Sequence, residues 1–138
     1  MKVIVVGVTD VPTADDAAHQ AAALAAKLGA RLHLVSAVSE RFSTRVGAGS
    51  ESWTFTSAGA ARDHIDSLRG LLGADIEYSS AVVDGDPAKA LCSEAERVGA
   101  DLIVVGSVRT QGLGRVLGSV ASDVLHHAPC AVLVAKTT

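Results

Sequence analysis

The chain has 138 residues, 49% of them hydrophobic and 20% charged, which suits one globular domain and excludes a disordered one. The formal net charge is −3 and no basic run occurs, which argues against a nucleic-acid partner held by clustered Lys and Arg. Aromatic residues make up only 3%, so Ala, Val and Leu must fill the interior.

Val3 to Val8 is a short apolar run rich in β-branched residues, as expected of a strand covered on both faces. The N-terminal apolar segment is too short for a signal peptide or a membrane span, and a cytoplasmic protein is the expectation. Pro12-Thr13 opens a helix, with Thr13 and Asp16 at capping-box-like spacing. Ala17, Ala21, Leu24 and Leu28 mark one helical face, and Gly29 stops it. Leu32 to Val38 is the second strand. Ser39 to Ser57 holds Gly47, Gly49, Trp53 and Phe55 among Ser and Thr, and reads as a long loop. A helix over Ala58 to Leu72 and a strand over Ile76 to Val83 follow.

Asp86-Pro87 starts the third helix with an N-cap and a proline at the first helical position. It runs to Val98, and Gly99 ends it. Asp101 to Gly106 is a fourth strand, Ser119 to His127 a fourth helix, and Ala131 to Ala135 the last strand, entered past Pro129. Five strands alternating with four helices predict a single α/β domain over residues 1–138, with a doubly wound, mostly parallel sheet.

In such a sheet ligands bind outside the carboxyl ends of the strands, where strand order reverses. The segment Gly106 to Ser119 is the most informative candidate. Gly106, Gly112, Gly114 and Gly118 free the backbone for close approach to a ligand. Gly118-Ser119 opens a helix, whose free N–H groups and positive dipole end suit a phosphate. It is neither a P-loop nor a dinucleotide fingerprint, and a merely tight turn is the plainer reading. His126, His127 and Cys130 invite a metal, but adjacent helical residues point about 100° apart, and imidazoles in a last turn suit the carbonyl end. No metal site is expected. Cys92 and Cys130 match no disulfide or zinc pattern and read as small buried hydrophobes. His19, His33 and His64 read as scattered and half-exposed, and no Ser, His and acid are visibly grouped, so no catalytic residue is expected.

The segments Gly7-Val8-Thr9-Asp10, Val83-Asp84-Gly85-Asp86-Pro87, Asp101 to Ser107, Leu117 to Val120 and His126 to Val134 together resemble the universal stress protein family over essentially the whole chain. The resemblance implies an adenine nucleotide alpha-hydrolase-like fold with strand order 3-2-1-4-5. It also implies a homodimer paired through the last strand and, in some members, ATP or AMP with Mg²⁺. Carried over by position, the candidate contacts are Thr9 or Asp10, Ala37, Val105, Gly106, Arg109, Gly118, Ser119 and Val120. Two departures stand out. Arg109 replaces a glycine of a loop that is one residue short, and Thr9 stands where the family has an aspartate. The expectation is a nucleotide-binding stress-response sensor that acts without turnover. The alternative is a nucleotide-free dimeric interaction or chaperone-like module.

Overall fold

The computed structural model describes residues 2–8, 12–38, 44–46, 53–55, 57–73, 75–107 and 118–136. Strand β1 (Val3–Gly7) is the β-branched run, and its Ile4, Val5 and Val6 are fully buried. Both faces are covered, so the strand is continuously apolar instead of alternating. In chain order there follow α1 (Pro12–Leu28), β2 (Arg31–Val38), β3 (Thr44–Val46), β4 (Trp53–Phe55), α2 (Ser57–Leu72), β5 (Tyr78–Asp84), α3 (Pro87–Val98), β6 (Leu102–Gly106), α4 (Ser119–His127) and β7 (Ala131–Ala135).

Five strands pair in parallel in the order β5-β2-β1-β6-β7. Counted along the chain within that sheet, this is the expected 3-2-1-4-5. The chain steps outward from β1 through β2 to β5, then returns past β1 to β6 and β7. Right-handed crossovers on the two sides of β1 therefore place α1 and α2 on one face and α3 and α4 on the other.

Alternate strand residues feed two cores. Ile4, Val6, Leu32 and Leu34 meet Ala17, Ala18, Ala21 and Ala25 of α1 and Ile65 and Leu68 of α2. Val5, Val35, Ile103 and Val105 meet Ala88, Leu91 and Ala95 of α3 and Ala121 and Val124 of α4. The alanine face of α1 lets that helix lie close to the sheet, which is how so few aromatic residues suffice.

The caps follow from the sequence. The Asp86 carboxylate accepts the Lys89 amide at 3.1 Å at the start of α3, ahead of Pro87. Gly99 ends that helix with φ 67°, a left-handed conformation that carries no Cβ penalty in glycine.

Three boundaries differ from expectation. The segment read as one loop contains an antiparallel pair, with Thr44 opposite Phe55 and Val46 opposite Trp53. Threonine, valine and aromatic residues favour an extended, paired backbone, and that preference outweighed the nearby glycines. The third long strand starts at Tyr78, two residues later than expected, and Ile76 ahead of it packs against the α1–α2 core. Asp101 precedes β6, and its carboxylate accepts the Lys2 and Val3 amides at 2.7 and 3.2 Å. These two bonds hold the Asp101 carboxyl below its ordinary range. The side chains of residues 12–15 lie outside the described set, and with them the capping reading of Thr13. Helix α1 already begins at Pro12, so Thr13 sits inside its first turn.

Candidate functional site

The strand order reverses between β1 and β6, so a crevice is expected at the carboxyl ends of these strands. Hydrogen-bond parity along β2 decides what its backbone offers there. The Arg31 amide donates to the Lys2 carbonyl and the Val8 amide to the Val35 carbonyl, so the odd residues of β2 bond toward β1. The Leu32 amide donates to the Glu77 carbonyl and the Gly85 amide to the Val38 carbonyl, so the even residues bond toward β5. The β1 ladder stops at Gly7 opposite Val35, whereas the β5 ladder continues to Val38 opposite Asp84. Ala37 therefore turns its N–H and C=O to the β1 side just beyond the last pair. Neither makes a backbone hydrogen bond to a described residue. An adjacent donor and acceptor in one peptide stretch suit the edge of a heterocyclic base.

Helix α4 supplies the other side. Its N-cap is Gly118, which is buried in extended conformation and makes no side-chain cap bond. The Gly118 carbonyl accepts the Ser122 amide at 3.0 Å, so the helix is fully formed from its first turn. The first-turn amides have no partner within the helix, and the N-cap glycine offers them no side-chain oxygen. Ser119, the first residue of the helix, is exposed, while Val120 is half-buried against the α3–α4 core. Val105 is a core residue, 4% exposed, and Gly106 closes β6 opposite Ala135. The ends of β2 and β6 lie two strand spacings apart, roughly 10 Å. The β2 backbone, the end of β6 and the start of α4 all lie at the carboxyl-end side of the sheet. Thr9, Asp10 and Arg109 lie outside the described residues.

Gly7 closes β1 and sets how near α3 can approach. A Cβ at this position would stand 3.1 Å from Leu91 Cδ1, so the bare glycine allows α3 to close against the end of β1. The sequence carried no signal for this contact beyond the glycine itself.

A polar cluster behind the sheet was also unforeseen. His33, read as half-exposed, is 2% exposed. Its Nε2 lies 2.8 Å from Glu94 Oε1 and its Nδ1 lies 2.7 Å from Ser79 Oγ. Arg97 grips the same carboxylate with Nε at 2.8 Å and a terminal nitrogen at 2.7 Å. The Arg97 hydrogen bonds, aided by that from His33, hold the Glu94 carboxyl at a pKa of about 2 against its partial burial. A serine, a histidine and an acid are thus grouped after all, contrary to the sequence reading. The ionised Glu94 can only accept, so Nε2 carries a proton toward it, and Nδ1 pairs with the Ser79 hydroxyl. Both ring nitrogens are engaged in joining β2, β5 and α3, which accounts for burying an imidazole.

His126 and His127 each donate from Nδ1 to a carbonyl four residues back, Ser122 and Asp123, at 2.8 and 2.9 Å. They close the last turn of α4, as expected of imidazoles at a helix C-terminus. Cys92 and Cys130 are half-buried in the α3–α4 core, and burial pushes both thiols up. No helix among the described residues is long and apolar enough to cross a membrane.

A parallel sheet whose order reverses beside an uncapped helix N-terminus defines a doubly wound α/β domain of the kind that takes ligands at its strand ends. Within that class the chain belongs to the universal stress protein family, whose pattern it matches over residues 1–136. It is 42% identical over 67 residues to a universal stress protein of Synechocystis, a match covering 48% of this chain and 62% of that protein. The chain thus aligns with about three fifths of that relative's length. A universal stress protein crystallised in complex with cAMP superimposes with a TM-score of 0.75 at 26% identity, covering 99% of this chain and 98% of the other. A universal stress protein from Archaeoglobus fulgidus in complex with dAMP shares the fold, with a TM-score of 0.68 at 22% identity over 100% and 98% of the two chains.

Proposed function

We propose that this protein binds an adenine nucleotide in the crevice between β1 and β6 and acts as a non-catalytic sensor in a stress response. The reading rests on one juxtaposition. The main chain of Ala37 offers a donor and an acceptor at one end of the crevice, and the uncapped N-terminus of α4 offers amides at the other. A base fits the first and a phosphate the second. Val105 and Gly106 form the wall between them, Ser119 adds a hydroxyl, and Val120 seats the helix. Thr9 or Asp10 would meet the ribose and Arg109 the phosphates. The similar protein solved with cAMP supports the same ligand class. Mg²⁺ would accompany ATP and not AMP, because only a polyphosphate chain needs the ion.

A homodimer through β7 accompanies this reading. The strand is a sheet edge that exposes Leu133 by 40%, and the preceding helix exposes Leu125 by 48%. An apolar edge strand calls for cover, and two-fold pairing supplies it.

Isothermal titration with ATP, ADP, AMP and cAMP, with and without Mg²⁺, tests the proposal. Micromolar binding weakened by Ser119→Ala and Arg109→Ala is the expected result. Absence of both heat and a thermal shift at millimolar nucleotide would overturn it. The nucleotide-free interaction module would then stand, as Arg109 in place of a loop glycine favours.

A further inference from the structure

A groove of about 450 Å³ lies between α3 and α4, lined by none of the residues assigned to the strand-end crevice. Ala88, Cys92 and Pro129 supply an apolar floor. Asp86, Glu96 and Asp123 line it with carboxylates, against Lys89 and the C-terminal His127. The chain carries 15 acidic and 12 basic residues, so three acids to one Lys or Arg in a single groove is a local excess of negative charge. Lys89 sits a helical turn from Asp86, which leaves the Glu96–Asp123 end the more acidic. Asp86 and Glu96 mark the two ends of α3, about 15 Å apart at the helical rise. An extended peptide covers that distance in four to five residues.

We propose that this groove docks a short basic segment of a protein partner. The segment lies extended along α3, with an apolar side chain over Ala88, Cys92 and Pro129 and cationic side chains spaced about four residues apart toward Asp86 and Glu96–Asp123. Charge complementarity selects the occupant, and the apolar floor distinguishes it from a free polyamine. The groove shares no residue with the nucleotide crevice, so the two proposals fail independently.

The test is fluorescence anisotropy on the full chain with a labelled Lys-Ala-Leu-Ala-Lys peptide amide. Three comparison peptides are needed: one with both lysines changed to glutamate, one with leucine changed to glycine, and one with the lysines adjacent. The expected result is saturable binding of the first peptide, weakened as salt rises from 50 to 300 mM. The comparison peptides and a Glu96→Lys/Asp123→Lys variant should each bind at least tenfold more weakly. Glu96 and Asp123 are exposed, and an unchanged circular dichroism spectrum verifies the variant's fold. Absence of binding at millimolar peptide overturns the proposal, as does equal binding of the glutamate or glycine peptide. A variant that loses its dimer in light scattering would assign the groove to a second copy of the chain and overturn it as well.

Discussion

His33 Nε2 and Glu94 Oε1 lie 2.8 Å apart across the boundary between the sheet and α3, one on a fully covered strand and the other on the inner face of the helix. The carboxylate is shared with Arg97, whose side chain stands 62% exposed. The ionic part of the cluster therefore reaches from the interior to solvent.

Removing the carboxylate should destabilise the domain more than a surface charge change would. Glu94→Ala leaves the buried His33 nitrogen without its acceptor, at a cost of about 2 kcal/mol. Screening at the open Arg97 end keeps the loss below that of a fully enclosed ion pair. Urea unfolding of both proteins measures the difference, and a loss under 0.5 kcal/mol, within the usual range for surface substitutions, would contradict the structural role given to the cluster.

The same carboxyl sets an acid dependence. Its pKa is lowered from 4.5 in the unfolded chain to about 2 in the folded one. A lowered carboxyl contributes stability that is fully present above the unfolded value and is lost as pH falls toward the folded one. The stability gap between wild type and Glu94→Gln should therefore be largest above pH 5 and shrink between about 4.5 and 2. Unfolding curves across that range provide the check, and a constant gap would contradict it.

Gly7 and Leu91 should behave as a coupled pair. A methyl at Gly7 meets Leu91 at 3.1 Å, so Gly7→Ala alone should destabilise, by about 1 kcal/mol. Leu91→Ala alone removes a core side chain, typically at a cost of 2–5 kcal/mol. In the double variant the methyl fills part of the vacated space. The two losses should then sum to less than additive by about 0.5 kcal/mol or more. Strict additivity would show that α3 shifts freely at this point.

Gly118→Asp separates the helix from its proposed ligand. Gly118 already has the extended backbone of an N-cap, a conformation from which an aspartate can accept first-turn amides. It also places a negative charge where the phosphate would lie. Nucleotide affinity should fall at least tenfold while circular dichroism stays unchanged. Undiminished binding would remove the α4 N-terminus from the site.

The architecture was legible because its signals are local. The β-branched runs of β1 and β6, the Asp86-Pro87 start of α3 and the Gly29 and Gly99 stops each declare themselves within a few residues. The start of α4 was legible for the same reason, through Gly118-Ser119. What the sequence concealed depends on register. Nothing in Arg31-Leu32-His33-Leu34 says that the imidazole will face Ser79 and Glu94, because that follows only from pairing with β5 and from packing under α3. His33 alternates with two buried leucines, which in hindsight marks a strand buried on both faces. The short β3–β4 pair was hidden by glycine and serine neighbours that ordinarily signal a loop.

The early end of the β1 ladder has a practical consequence for mapping this crevice. Position 37 already holds alanine and would act through its main chain, so an alanine scan passes over it. Chemical replacement of that amide by an ester, which deletes the N–H and weakens the carbonyl, tests the proposed contact directly.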